Sequence, residues 1–223
     1  DRSTYKLLGG SIGFYGSTLN TRQYATKGYL EKLIAQVFTG RERFEPGNPQ
    51  EGYSPSPQER QSWLQISYMK EAYHTMGPKF TLGWMAEALY SSKNFSENYT
   101  ATMMQAGEFA PTPHSKLMYN EAFRANQYVA AGIKPIYVLN DMFQFRTEFY
   151  GFTPIFPIKK NALNKAYYGK AFSRFEYMGE VSVICHLPFG AISAYVNHYS
   201  SPRREWNVGM TIGWQLFNYR FVE

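Results

Sequence analysis

The stretch from Trp206 to Phe217 narrows the folds open to this chain more than any other. Trp206, Val208, Met210, Ile212, Trp214 and Leu216 are apolar, and Asn207, Gly209, Thr211, Gly213 and Gln215 between them are small or polar. Successive side chains of a strand point to opposite faces, so a period of two predicts a β-strand with one apolar and one polar side. A tilted strand of about 9 to 11 residues crosses the hydrocarbon of a bilayer, and aromatic residues collect at both borders. The tryptophans at 206 and 214 suit those borders, so the six apolar residues are expected to face lipid or detergent.

The same alternation recurs upstream. It predicts nine strands in all: Tyr5 to Thr18, Lys27 to Thr39, Trp63 to Thr75, Phe80 to Ser91, Tyr128 to Leu139, Phe143 to Pro154, Phe175 to Leu187, Gly190 to Tyr199 and Trp206 to Phe217. The gaps between most of them alternate short and long. Gly77-Pro78, Asn140-Asp141-Met142 and Pro188-Phe189 are tight, whereas 41–62, 92–122 and 157–173 are long and polar or rich in Gly and Pro. Long structureless loops are uncommon in compact domains, but transmembrane barrels alternate short periplasmic turns with long external loops. The expected fold is therefore all-β, an antiparallel transmembrane β-barrel occupying residues 1–223 as a single domain, with the three long segments outside the cell.

Composition agrees with a strand-built membrane protein. Aromatic residues make up 18% of the chain, with 19 Tyr and 17 Phe, while charged residues are also only 18%. A mean hydropathy of −0.43 is no obstacle, because transmembrane strands expose only half their residues to lipid. No run of 18 apolar residues exists, so a transmembrane helix is not expected. Asp1-Arg2-Ser3 begins no apolar signal region, and any targeting segment is expected upstream or already removed. The 23 basic residues outnumber 17 acidic ones, yet they are scattered through the chain, and no nucleic-acid partner is expected.

Motifs for chemistry are sparse. Gly9-Gly10-Ser11-Ile12-Gly13 matches the pattern of a nucleophile elbow, but the alternation continues through Phe14 to Thr18 where the elbow needs a helix, so it reads as a glycine-rich strand. His74, His114, His186 and His198 fall on separate elements without ligand spacing; they read as solvated or interface residues, and neither a metal nor a cofactor is expected. Cys185 is alone and falls on an apolar face as a small hydrophobe. Asn94-Phe-Ser96 and Asn98-Tyr-Thr100 fit the glycosylation pattern and mark a polar loop. Glu148 and Glu180 fall on inward faces, and no catalytic residue is assigned.

Phe123-Arg124-Ala125-Asn126-Gln127-Tyr128 resembles the Val-Arg-Gly-Tyr/Phe signature of the bacterial outer-membrane surface-antigen family, which includes barrel-assembly and two-partner-secretion translocases. Ala125 stands where the family has glycine, and Asn126-Gln127 is inserted before Tyr128. Together with Pro111-Thr-Pro-His-Ser115, Phe145-Arg-Thr-Glu148 and Leu187-Pro-Phe-Gly190, the stretch is most similar to the C-terminal barrels of patatin-like phospholipases. The resemblance implies a sixteen-strand barrel, of which this chain would supply the last nine strands. An odd count with an external start points the same way. It also implies that the loop bearing Phe123, Arg124 and Tyr128 folds back into the lumen. Arg124 would then need a carboxylate there, with Glu148 the expected partner, Glu180 its rival, and Arg146 a competitor for Glu148.

The function so implied is to anchor, and to export, an upstream patatin-like phospholipase domain by a type V secretion route. The partners would be outer-membrane lipid or detergent, the barrel-assembly machinery and the N-terminal portion of the same protein. Two other expectations stand beside it: a pore that translocates or assembles other proteins and carries no enzyme, and a soluble β-barrel that binds a small apolar ligand.

Overall fold

The computed structural model describes residues 2–45, 59–188, 190–201 and 206–213. In chain order the elements are β1 (Arg2–Ser17), β2 (Gly28–Glu45), β3 (Glu59–Thr75), β4 (Phe80–Ser91), α1 (Tyr99–Gln105), β5 (Gly107–Glu108), β6 (Arg124–Ala125), β7 (Gln127–Val138), β8 (Phe143–Pro154), β9 (Ile158–Lys160), β10 (Ala166–Tyr168), β11 (Glu176–Leu187), β12 (Gly190–Tyr199) and β13 (Trp206–Gly213). Nine of them form one sheet in the order β1-β2-β3-β4-β7-β8-β11-β12-β13. Every neighbouring pair is antiparallel. The small strands make two separate hairpin-like pairs, β5 with β6 and β9 with β10.

Predicted and observed strands coincide at Phe80–Ser91, Phe143–Pro154 and Gly190–Tyr199. The segment 41–62, expected as a loop, is strand at both ends, with Arg41 opposite Arg60 and Glu42 opposite the backbone of Glu59. Backbone ladder bonds do not need apolar side chains, so charged residues carried the pairing past the point where alternation of hydrophobicity stops. Trp214 and Leu216 lie outside the described residues. The long loop also holds structure that period two could not reveal. Asn98 caps α1 by accepting from the Ala101 amide at 2.6 Å, which satisfies one of the donors a helix start leaves open.

The sheet has one open and one covered face, and the assignment runs opposite to that of a soluble sandwich. On β8, Phe143, Phe145 and Phe149 are exposed while Gln144, Arg146 and Glu148 are buried. β11 repeats this with Tyr177, Val181 and Val183 outside and Glu180 and Ser182 inside. Trp206, Val208, Met210 and Ile212 are 65–80% exposed.

Two insertions cover the polar face. One is the connection 18–27 between β1 and β2, and the other is the loop 92–126 between β4 and β7. Tyr24 of the first donates to Ser193 Oγ on β12 at 2.9 Å, although β2 and β12 stand six places apart in the strand order. In a flat sheet that separation would be about 29 Å, whereas ten residues running out and back reach only about 17 Å. The sheet is therefore strongly curled, with the insertions in its hollow. The main apolar cluster also lies there, where Phe109, Ala122 and Phe123 of the loop meet Tyr128, Tyr150, Phe152, Met178 and Tyr199 of the sheet. Gly132 makes room for this packing: a Cβ there would lie 2.1 Å from Tyr150 Cδ1. Among the described residues no helix is long and apolar enough to cross a membrane.

Candidate functional site

Alternation on β7, β8 and β3 brings charged side chains into the hollow, where each must find a partner because bulk water does not reach it. Arg146 Nη2 lies 2.9 Å from Glu148 Oε1, and its Nη1 donates to the Ala25 carbonyl at 2.9 Å. Tyr150 donates to the second oxygen of Glu148 at 2.6 Å. Lys134 Nζ sits 3.1 Å from Glu71, whose carboxylate also accepts from the Tyr73 hydroxyl. Gln144 donates to the Tyr24 carbonyl at 3.1 Å. Strands and the 18–27 connection are thus stitched together by charge-assisted bonds, which are stronger than neutral ones. Burial pushes the Tyr24 phenol above its ordinary value, so it stays a donor to Ser193.

Arg124 is not part of this network. The two-residue ladder between β5 and β6 sets it opposite Glu108, and its Nη2 meets Glu108 Oε2 at 2.5 Å. Its Nη1 reaches the carbonyls of Met104 and Ala106 at 3.3 and 3.1 Å, and its guanidinium lies 4.9 Å from the Tyr119 ring centre. These carbonyls belong to the C-terminal end of α1, which lacks intrahelical partners and carries partial negative charge. The expected pairs with Glu148 and Glu180 are therefore replaced by a local one. Glu108 is fixed beside Arg124 by backbone pairing, while both oxygens of Glu148 are already engaged by Arg146 and Tyr150. The rest of the motif turns the other way. Phe123 packs 5.6 Å from Phe152 between ring centres, and Tyr128 lies 5.0 Å from the same ring and donates to Glu87 at 2.5 Å.

The loop enters the hollow through His114, a residue expected to be solvated or at an interface. It is buried, with Nδ1 at 2.7 Å from Glu180 Oε1 and Nε2 at 3.3 Å from Ser193 Oγ. Thr112 donates to the other Glu180 oxygen at 3.0 Å, and the Tyr195 ring stacks on the imidazole at 3.5 Å between centres. Serine, histidine and carboxylate stand in the order of a hydrolase triad. The surroundings make them an anchor instead. Ser193 is 0% exposed, and its hydroxyl oxygen also meets Tyr24 and Thr211, the latter at 2.5 Å. It lies mid-strand between Ile184 of β11 and Thr211 of β13, where ladder pairing takes up the backbone amides that could hold an oxyanion. The 109–115 portion of the loop 92–122 is thus packed against β8, β11 and β12.

At the opposite end of the sheet, Lys93 is buried, 4.7 Å from the Trp63 ring centre and 5.8 Å from that of Tyr5, and donates to Gln105. Desolvation pushes its ammonium down to about 8, against the pull of Glu42. The aromatic faces supply part of what water would have given the cation. Lys93 and His114 were absent from the expected site because a single cation in a polar loop has no periodic signature. Only the proline-flanked Thr112-Pro113-His114 hinted that this part of the loop holds a defined shape. Among the described residues no three His, Cys, Asp or Glu side chains come together to hold a metal. No family model matches the chain, and neither a curated protein nor a solved structure matches it.

Proposed function

We propose that the sheet is a sector of a bacterial outer-membrane β-barrel that anchors, and helps to export, an upstream patatin-like phospholipase domain. The observation that carries the membrane part is the inverted distribution of side chains. Apolar residues on strand after strand are the exposed ones, and Arg146, Glu148, Lys134 and Glu180 are the buried ones. Exposed apolar area on this scale is foreign to soluble monomers, whereas a lipid-facing band around a polar lumen has this pattern. The outer edges of β1 and β13 have no strand partner among the described residues, and bilayer hydrocarbon tolerates no unpaired edge. Further strands of the same protein would close the barrel, to sixteen if the resemblance around Arg124 holds. A soluble barrel around an apolar ligand needs its apolar faces turned inward, the reverse of the distribution on β8 and β11.

The phospholipase part rests on the resemblance of the segments around Arg124, His114, Glu148 and Gly190 to patatin-linked barrels. A protein-translocating pore without an enzyme would share the same barrel. The filled hollow favours an anchor over an open conduit, since the 18–27 connection and the 109–123 segment both pack within it. The test is fractionation of cells producing the intact protein, followed by acyl-ester hydrolysis assays on the detergent extract. Recovery in the outer membrane with hydrolysis is the expected result. Outer-membrane recovery with no hydrolysis, and with ion conductance in planar bilayers, turns the reading to the translocation pore. Recovery without detergent rejects both.

A further inference from the structure

Lys6, Arg41 and Arg60 occupy one row across the first three strands. The register sets Lys6 opposite Arg41 and Arg41 opposite Arg60, and all three are exposed on the open face. Directly opposed side chains on one face stand about 5 Å apart at Cβ, and like charges so placed repel. In the adjacent row the charge is compensated, with Arg43 Nε lying 3.0 Å from Glu45. Among the described residues no carboxylate pairs with Lys6, Arg41 or Arg60. An open groove of about 540 Å³ runs along the row and is lined also by Leu8, Thr39 and Gly40.

The row stands at a border. Toward the middle of the sheet the same face continues as Leu8 beside Thr39, Val37 beside Leu64, and Ile12 beside Ala35 and Ile66. Leu8, Val37 and Ile12 are each at least 60% exposed. The three cations are thus the last row before the apolar band begins. They lie at the end of the sheet where Tyr5 contacts Ser96 of the long loop, away from the tight turns.

Building on the outer-membrane reading, we infer that Lys6, Arg41 and Arg60 form a binding site for the phosphate of an anionic lipid in the outer leaflet. Guanidinium groups match phosphate oxygens in paired hydrogen bonds, and an anion set among three cations turns their repulsion into attraction. The acyl chains of the same molecule lie along Leu8, Val37 and Ile12. A free phosphate would engage the cations alone and leave this adjoining apolar surface unused, which is why a lipid is the occupant.

The test uses the intact protein purified in uncharged maltoside micelles. Its thermal midpoint is followed while the micelles are doped with dioleoyl phosphatidic acid or with dioleoyl phosphatidylcholine, or while inorganic phosphate is added at matched ionic strength. Phosphatidic acid is expected to raise the midpoint, and the other two are not. The combined variant Lys6→Gln, Arg41→Gln, Arg60→Gln should weaken the phosphatidic acid response on the order of 100-fold, Arg41→Gln alone about fivefold, and Arg43→Gln not at all. Without lipid, the combined variant should melt no lower than the parent, because repulsion has been removed. A response of equal size in the combined variant overturns the site, and an equal response to inorganic phosphate overturns the lipid as its occupant. Extraction without detergent sinks the membrane reading and this site together, whereas a detergent-requiring protein indifferent to phosphatidic acid sinks the site alone.

Discussion

The two faces of β8 differ in what they require of their surroundings. Phe143, Phe145 and Phe149 on the open face are exposed, and what they contribute to stability depends on the medium that meets them. Gln144 and Arg146 on the covered face are bound to backbone carbonyls of the 18–27 connection, and Glu148 is held between Arg146 and Tyr150 of its own strand. The open face is therefore tolerant of apolar change but intolerant of charge. The covered face is the opposite, since its charges are held in place by partners whose loss leaves an uncompensated ion. That difference teaches where specificity lies in this protein: in the hollow, where a particular loop must meet particular strands.

The largest effect is expected in the hollow. Arg146→Leu leaves Glu148 buried beside Tyr150 without its nearest cation and should cost about 3 to 5 kcal/mol of unfolding free energy in detergent. A loss below about 1 kcal/mol would mean that water screens the covered face and that its charges are not held by one another. Next, Met210→Arg on the open face should cost about 2 to 4 kcal/mol in a bilayer. Thr211→Arg, on the opposite side, should cost about 1 kcal/mol, the worth of its bond to Ser193. Equal penalties at 210 and 211 would show that both faces meet the same solvent.

A smaller effect separates the loop from the hollow. Double-mutant cycles should show coupling of at least about 1 kcal/mol between Arg124 and Glu108, and additivity within about 0.5 kcal/mol between Arg124 and Glu148. Coupling to Glu148 instead would place Arg124 beside Arg146 and Tyr150 in the hollow. The smallest effect is a pH dependence. Lys93 is pushed down to about 8 from 10.5 by desolvation, so above pH 8 the folded protein has released a proton that the unfolded chain still holds. Stability should therefore rise with pH across that window, by under about 1 kcal/mol between pH 7 and 8.5. Lys93→Met should abolish the slope, and a slope that persists would assign it to another group.

Period-two alternation was enough to place the nine strands, because an antiparallel strand with one open and one covered face writes its faces into every second residue. It also separates Phe143 from Gln144 and Val181 from Glu180. Strand ends were less legible at β2 and β3, where Arg41 to Glu45 continue a ladder that side-chain polarity does not mark. The glycine-rich Gly9 to Gly13 read correctly as strand for the same local reason that β8 did.

The loop is where local pattern stops being informative. Phe123, Arg124 and Tyr128 stood out in the sequence as a group, yet folding divides them, sending the two rings into the cluster around Phe152 and the guanidinium to α1 and Glu108. His114 showed nothing of its meeting with Glu180 and Ser193, which lie 66 and 79 residues away along the chain. By itself the sequence determined which side chains share a face, because that follows from the backbone's own geometry. Only the tertiary structure decided which charge meets which, because the curl of the sheet and the path of two insertions set those distances. The partner that backbone pairing brings within hydrogen-bond reach then prevails over any more distant one.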